Sequence, residues 1–174
     1  MDKIRHGLTE YRMPGYVEEV LSQNYCSCFI SMTIVKDKDS YRFSYDPGRS
    51  RKLDIASLDT YRKLILLKTL ISISRRSAVH LIAPDSFLLE PELLYTNDNR
   101  VDIDSLRILF YPDVKMLSFG NKLRIFSDRL FDHGNREERE YSEQFRNSLE
   151  DGDINRAGLF LDKNILRLES RILS

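Results

Sequence analysis

The feature that most constrains the fold of this chain is a long, strongly apolar segment at residues 58–76. Its apolar residues recur at helical spacing and cover one broad face, which two further residues extend. The face comprises Tyr61, Leu64, Ile65, Leu67, Leu70 and Ile71, and the extension comprises Leu66 and Ile73. A helix that is apolar over so much of its surface belongs inside a domain. Asp59 or Ser57 can cap its start, and Arg75 and Arg76 suit its end, where the helix dipole favours cations.

A β-hairpin precedes this helix in the sequence. Residues 28–35 and 41–45 are rich in β-branched and aromatic side chains, and the polar residues 36–39 separate them as a turn. In the second strand Tyr41, Phe43 and Tyr45 alternate with polar residues, so we expect one buried face and one solvent-exposed face. A short helix over residues 16–23, opened by Pro14, comes before the hairpin.

The rest of the chain changes from strands to helices. We predict short strands at residues 87–89, 93–95 and 106–110, and helices at residues 117–131, 137–149, 155–161 and 163–173. This order is typical of an α+β protein and not of the βαβ alternation of a doubly wound sheet. Residues 1–174 are expected to form one domain with a β-rich N-terminal part, a central buried helix and a helical C-terminal part. Leu67, Leu70 and Ile71 should be fully buried between the hairpin and the C-terminal helices.

The charge balance and the hydropathy pattern exclude several classes of protein. Lys and Arg together number 27, as do Asp and Glu, so the formal net charge is zero. This balance argues against a dedicated nucleic-acid binder, because phosphate contacts need a basic excess. No signal-peptide pattern opens the chain, and its most apolar stretch, residues 64–73, is far shorter than the roughly 20 residues that span a bilayer. We therefore expect a cytosolic domain without a nucleic-acid partner.

The two cysteines of the chain, Cys26 and Cys28, form a single Cys-x-Cys pair. A structural zinc site needs about four ligands, and no second pair of Cys or His completes one here. A disulfide across so short a ring is strained. The favoured interpretation is two reduced thiols in or beside a strand, which fits the cytosol. A redox or metal role is the alternative.

Other polar residues favour structural roles over chemistry. No phosphate-binding glycine loop, zinc-protease motif or nucleophile elbow occurs in the sequence. His80 follows the long helix in an apolar context and is expected to be a core or edge histidine. Asp98, Asp102 and Asp104 alternate as in a calcium loop, but the Gly and Glu that such a loop needs are missing, so a polar hairpin or loop is favoured. The charged run 136–140 is expected to be a solvated helix start.

A resemblance to a known family lies in the middle of the chain. After the hairpin and the buried helix, the sequence runs Ser-Phe-Leu-Leu-Glu-Pro-Glu-Leu-Leu-Tyr at residues 86–95 and Leu-Phe-Tyr-Pro at residues 109–112. This pattern resembles a degenerate protein-kinase core, because kinases have a Pro-Glu-Asn-Leu-like motif in the catalytic loop, and Pro-Glu-Leu-Leu stands here at residues 91–94. The plan of residues 16–173 is most similar to the cytosolic domain of the EssB/YukC family, membrane components of type VII secretion systems in Gram-positive bacteria. It is also similar to kinase-like domains found upstream of forkhead-associated domains.

On this resemblance the catalytic groups of a kinase are missing. Leu88 stands at the position of the catalytic Asp, and Leu93 at the position of the metal-binding Asn. Residues 110–112 replace the metal-binding Asp-Phe-Gly, and the strand at 41–45 offers Arg42 but no Lys. Phosphoryl transfer depends on positioned charge and metal. The resemblance thus implies a pseudokinase-like domain that is not an enzyme and has no catalytic residue, cofactor or metal.

The same resemblance implies a protein-interaction scaffold. Residues 1–174 would be the N-terminal cytosolic part of a longer membrane protein, at the cytoplasmic face of the cell membrane and joined to the membrane through a segment outside this chain. Its partners would be other protein components of the secretion assembly, and a homodimer is a further expectation. The alternative is a signalling adaptor linked to a forkhead-associated domain in a phosphopeptide-dependent pathway. An enzyme of another type would need a polar cluster that the sequence does not assemble.

Two segments are candidates for the partner-binding surface. One is the exposed basic connection of Arg49, Arg51 and Lys52 beside Tyr45, for which a solvated loop is favoured over an anion site. The other is the loop of Tyr111, Pro112 and Asp113, where a kinase would begin its activation segment. We prefer the second, since an aromatic residue next to Pro is stiff and loses little entropy on binding. The alternative is that Tyr111 and Pro112 pack the loop onto the core.

Overall fold

Five α-helices and two small antiparallel sheets make up the part of this computed structural model that is described here, residues 4–9, 12–38 and 40–172. In chain order the elements are β1 Ile4–Thr9, α1 Gly15–Ser22, β2 Ser31–Asp37, β3 Ser40–Asp46, β4 Arg51–Lys52, α2 Thr60–Val79, β5 Leu94–Thr96, β6 Arg107–Ile108, α3 Phe119–Leu130, α4 Arg136–Ser148 and α5 Ile154–Ile172. The predicted α+β class is confirmed.

The first sheet has the strand order β1-β3-β2 and contains the predicted hairpin. In β3 the side chains of Tyr41, Phe43 and Tyr45 are buried and alternate with more exposed positions, as expected from the period-two pattern. Of the predicted turn, Asp39 lies outside the described residues. Strand β1 was not anticipated; it pairs antiparallel with β3, with Ile4 opposite Tyr45.

The hairpin begins three residues later than predicted, at Ser31. Residues 28–30 instead pair with β6: Ile108 N–H donates to Cys28 O at 2.9 Å, and Ile30 N–H donates to Ile108 O at 2.9 Å. Residues 28–30 therefore join the first sheet to the second. This partner is about 80 residues away in the chain, so local patterning gives no sign of it.

The central helix α2 forms as predicted. Its N-cap is Asp59, whose carboxylate accepts a hydrogen bond from Arg62 N–H at 2.8 Å. Leu67 and Leu70 are fully buried and Ile71 is almost so. The helix packs on α5, on α3 and on the turn at Pro84–Ser86. The predicted burial of this helix is therefore confirmed, but its main contacts are with C-terminal helices and this turn and not with the hairpin.

The second sheet differs from the prediction in two ways. The expected strand at residues 87–89 is absent; Phe87 makes only an isolated bridge to Pro112, because short 3-10 turns with Pro at their first position flank it on both sides. Arg51 and Lys52, expected to be a loop, form β4, which pairs with β5 opposite Thr96 and Tyr95. The sheet order is β4-β5-β6.

The C-terminal part is helical, with one correction. Helices α3 and α4 form near the predicted bounds and are capped by the side chains of Ser118 and Asn135. The two short helices predicted at 155–161 and 163–173 are one continuous helix, α5. Between the two predicted segments, the Asp162 carboxylate forms a salt bridge with Lys68 Nζ of α2 at 2.5 Å. This polar residue therefore has a charged partner, and the helix continues through it.

An aromatic cluster connects the first sheet to the segment before α3. The ring of Phe29 meets Phe87 edge to face at 5.1 Å between centroids and Phe110 at 5.5 Å. Phe43 of β3 also contacts Phe110, and the hydroxyl of Tyr45 donates to Phe110 O at 2.6 Å. These contacts fix the backbone at residue 110, and with it the start of the loop at residues 111–117. Across the described ranges, no helix has the length and apolar character required to cross a membrane.

Candidate functional site

A surface cavity of about 320 Å³ lies between the loop at residues 111–117 and helix α3. We call it the α3 groove. Its apolar lining consists of Leu88, Leu89, Tyr111, Pro112, Val114, Leu117, Ile125 and Phe126, and its charged lining of Glu90, Asp113, Lys115, Lys122 and Arg129. Its volume falls at the lower end of the range for ligand pockets, about 300–1,000 Å³. The walls are mostly apolar, so the groove suits apolar side chains.

Large apolar side chains are exposed along this groove. Val114 is 63% exposed, Met116 53%, Leu117 39% and Ile125 53%. Scattered exposed apolar residues are normal on a protein surface, but a contiguous group beside a cavity is typical of an interaction site. Val114 and Leu117 line the groove from the loop and Ile125 lines it from α3, whereas Met116 belongs to the same loop but does not line the cavity.

Asp113 holds the shape of this loop. Its carboxylate accepts hydrogen bonds from the N–H groups of Lys115 at 3.0 Å and Leu117 at 3.2 Å. The backbone N–H of Met116 donates to Asp113 O at 3.1 Å, and Met116 itself has a φ of 49°, which is unfavourable for a side chain of its size. The hydrogen bonds to Asp113 stabilise this strained turn, which carries Val114 and Met116 at the surface.

A buried ion pair connects the loop to α3. Lys122 Nζ lies 3.0 Å from Asp113, and both side chains are buried. The same ammonium donates to Asp85 O at 2.8 Å and to Phe87 O at 2.6 Å, so its three donors are all used.

Burial and hydrogen bonding act in opposite directions on this pair. Burial raises the pKa of Asp113, but the hydrogen bonds from Lys122 and the loop N–H groups outweigh it, and the net pKa is lowered. Burial also lowers the pKa of Lys122, an effect that Asp113 partly offsets. Asp113 is therefore ionised at neutral pH and is engaged inside the protein.

The structure places the preferred sequence candidates in the wall of the groove. Pro112 and Asp113 are buried, and Tyr111 is half-buried with its ring 6.3 Å from that of Phe43. Tyr111 and Pro112 thus pack the loop onto the core, as in the alternative that the sequence left open. Contact between these residues and a partner stays a prediction.

Sequence reasoning missed the exposed residues of the groove. The signal available was an apolar pair, Met116 and Leu117, directly before the Ser118 cap. Ile125 also lies off the α3 stripe that includes Leu123 and Phe126. Their arrangement around one groove depends on how α3 docks, which the sequence pattern does not specify.

The second candidate surface is a polar cleft of about 780 Å³. Arg49, Arg51 and Lys52 are exposed there, but Asp54 and Asp98 line the same cleft, so its charge is mixed. Thr96, Asn97 and Asn99 complete the lining. Tyr45, expected beside these cations as an aromatic anchor, is fully buried and bonded to Phe110, because the alternation of β3 turns it into the core.

Of the positions that the kinase resemblance singles out, Leu88, Tyr111 and Pro112 line the α3 groove, whereas Leu93 and Arg42 do not. Leu88 lines the groove, and its N–H donates to Tyr111 O at 2.8 Å. Leu93 O accepts from Leu109 N–H at 2.8 Å. Within the described part of the chain, no three His, Cys, Asp or Glu side chains are close enough to hold a metal ion.

Several other expectations have a structural outcome. His80, expected in the core or at its edge, lies at the edge: it is the half-buried residue that follows the end of α2. Asp102 closes a polar loop by accepting hydrogen bonds from Ser105 and the N–H of Asp104, as favoured over a calcium loop. The charged run 136–140 is only partly solvated. Arg136 pairs with Glu140 at the surface, whereas Glu138 is buried against Lys63 of α2 at 2.7 Å because α4 packs on α2 through this position.

Neither protein-family models nor curated proteins give a match to this sequence.

Proposed function

We propose that this protein is a non-catalytic protein-binding scaffold and that a partner protein docks in the α3 groove. One observation carries the proposal: three exposed apolar side chains, Val114, Leu117 and Ile125, line a mostly apolar cavity in a chain whose formal net charge is zero. Buried apolar anchors within a polar rim supply most of the binding energy of protein interfaces. The exposed ends of Glu90 and Lys115 would form part of that rim.

The polar groups of the groove support binding rather than chemistry. Lys122 and Asp113 are bonded to each other and to the backbone, and Arg129 pairs with Glu92. A catalytic acid, base or anion ligand has to reach its substrate. These groups instead stabilise the walls of the groove, and the surface they leave is apolar.

In the cell, the scaffold would be the cytosolic domain of a membrane component of type VII secretion, at the cytoplasmic face of the membrane. The resemblance of residues 86–95 and 109–112 to a degenerate kinase core supports this assignment. The alternative is an adaptor linked to a forkhead-associated domain. The coding sequence downstream distinguishes them, because an apolar helix of about 20 residues supports the first and a β-rich domain the second.

The docking surface can be tested by site-specific photocrosslinking in the native host. A photoreactive amino acid at Ile125, in the groove, should crosslink to one recurrent protein. The matched control is Leu159 on α5, which is 71% exposed and does not line the groove. Equal crosslinking from both positions would contradict the proposal.

Point variants separate the two candidate surfaces. Tyr111→Ala and Ile125→Asp should reduce capture of the crosslinked partner at least tenfold, whereas Arg51→Glu should leave capture unchanged. If Arg51→Glu abolishes capture and the groove variants do not, the basic cleft is the binding surface. Circular dichroism must show each variant to be folded.

A further inference from the structure

Cys26 and Cys28 form a close pair that the scaffold function does not use. They lie in the turn between α1 and β2, and their Sγ atoms are 2.8 Å apart. Cys26 is 2% exposed and Cys28 is fully buried. The backbone of the turn is held by Phe29 N–H donating to Cys26 O at 3.3 Å and by Ile108 N–H donating to Cys28 O at 2.9 Å.

The geometry of the pair is close to that of a bond. A disulfide has an S–S length of about 2.05 Å, so less than about 1 Å separates the thiols from bonding distance. The turn already holds both side chains on the same side, so the loop that a disulfide would close costs little further chain entropy.

The two thiols have different acidities. The hydrogen bond between the two thiols lowers the pKa of Cys26, against the opposing effect of burial and with help from the positive charge of Arg76. The same hydrogen bond, together with burial, raises the pKa of Cys28. Cys26 is therefore the more acidic thiol of the pair. The thiolate is the nucleophilic form of cysteine.

We propose that Cys26 and Cys28 are a redox-active dithiol that a hydroperoxide oxidises to an intramolecular disulfide. The Cys26 thiolate attacks one peroxide oxygen, the O–O bond breaks, and Cys26 becomes a sulfenic acid while hydroxide or alkoxide leaves and takes up a proton. The Cys28 sulfur then attacks the Cys26 sulfur. The S–O bond breaks, and the departing hydroxide leaves as water with the Cys28 proton. For hydrogen peroxide the sum is one dithiol and one peroxide giving one disulfide and two waters.

The oxidant has to be small because both sulfurs are buried. Hydrogen peroxide is close to water in size and can reach Cys26 through a slight opening of the turn, whereas a large disulfide reagent needs room around the attacked sulfur. The disulfide between residues two apart closes a strained ring. Strained disulfides are more easily reduced than structural ones, so the oxidation is reversible.

The composition of the chain makes the test clear. It has only two cysteines, so a disulfide within a monomer joins Cys26 to Cys28. The reduced full chain is treated with a small excess of hydrogen peroxide, unfolded in an alkylating reagent, and weighed intact. We expect the loss of two hydrogen atoms, no added alkyl group and a monomer on a non-reducing gel. Dithiothreitol should restore two alkylatable thiols.

A Cys28→Ser variant tests the order of the steps. It should stop at the sulfenic acid of Cys26, which a dimedone adduct at that residue reports. An adduct missing from the folded variant would overturn the assignment of Cys26 as the attacking sulfur. Because Cys28 is buried, its replacement can disturb the fold. The measurement on the wild-type chain therefore tests the proposal independently of this variant. Two thiols surviving peroxide, irreversible sulfinic acids, or disulfide-linked dimers would each overturn the proposal.

Discussion

At the scale of single residues, Asp113 illustrates how a loop carboxylate can be structural. The sequence places it in a candidate binding loop, at the position where a kinase would begin its activation segment. In the structure it is buried, bonded to Lys122 and to two N–H groups of its own loop. Nothing in the local sequence indicates the pairing, because Lys122 is on the next helix and its position depends on how α3 docks.

The ion pair of Asp113 makes stability depend on pH. Its pKa in the folded protein is below the ordinary value of about 3.9, so the carboxylate stabilises the folded state at every pH above about 4. This contribution is lost as the pH falls from about 4 through the lowered pKa. Asp113→Asn should therefore lower the free energy of unfolding at pH 7 by roughly 3–5 kcal/mol, since Lys122 stays buried without its partner.

Urea unfolding at a series of pH values measures this effect. The variant should also lose less stability than the wild type between about pH 4 and pH 2, because the titrating group is gone. Asp104→Asn, at an exposed position in another loop, is the matched control and should follow the wild type. Parallel acid profiles for wild type and Asp113→Asn would show that Asp113 is not the group responsible.

At the scale of elements, the contact between α2 and α4 depends on one buried carboxylate. Glu138 accepts hydrogen bonds from Lys63 Nζ at 2.7 Å, Thr60 Oγ1 at 3.0 Å and the N–H of Asp132 at 2.6 Å. These bonds attach the start of α4 to the start of α2. The sequence shows Glu138 only as one charge among five, which is why it was expected in solvent.

Two variants on α4 separate buried from exposed charge. Glu138→Ala should cost roughly 3–5 kcal/mol in the free energy of unfolding, because the Lys63 ammonium stays buried and unpaired. Glu140→Ala, two residues away, removes an exposed pair with Arg136 and should cost less than about 1 kcal/mol. Chemical denaturation of both variants measures the difference, and similar costs for both would mean that Glu138 does not join the two helices.

The elements that were predicted well are the long ones. Helices α2, α3 and α4 each repeat their apolar stripe over several turns, and that periodicity is a strong signal. Strand β4 has only two residues, too few for a pattern, and its partner β5 is remote in the chain. Strand β6 lies inside the strand predicted at residues 106–110, which was too long. The prediction of two short helices in place of α5 was wrong. Asp162 interrupts the apolar pattern, and the sequence does not show that its partner is Lys68 of α2.

At the scale of the whole molecule, α2 is the shared core of the described chain. It packs on α5 and α3, and the aromatic cluster around Phe110 connects the first sheet to the same interior. Leu70→Ala should therefore destabilise the protein by roughly 2–5 kcal/mol, the usual range for a buried Leu. Leu159→Ala, at an exposed site on α5, should change stability by less than about 0.5 kcal/mol.

The same experiment reports whether the β-rich and helical parts unfold together. The sequence has no Trp, so near-ultraviolet circular dichroism follows tyrosines, among which Tyr45 is buried in the first sheet. Far-ultraviolet circular dichroism follows the helices. The two transitions should coincide in wild type and shift together in Leu70→Ala. A cost below about 1 kcal/mol, or separate transitions, would mean that α2 is not a shared core.

The long-range pairing of α2 with α5 has a consequence for synthesis on the ribosome. Tyr61 hydrogen-bonds to Glu169, 108 residues later, so α2 is made long before the helix that covers it. At translation rates of about 5–20 residues per second, α5 is synthesised about 5–20 s after α2, and the apolar surface of α2 stays uncovered for that time. During that interval the apolar face of α2 lacks its α5 cover, and we expect it to bind chaperones; a stop codon or pause before α5 would leave it uncovered. We therefore expect the need for chaperones during translation to follow from the distance in sequence between these two helices.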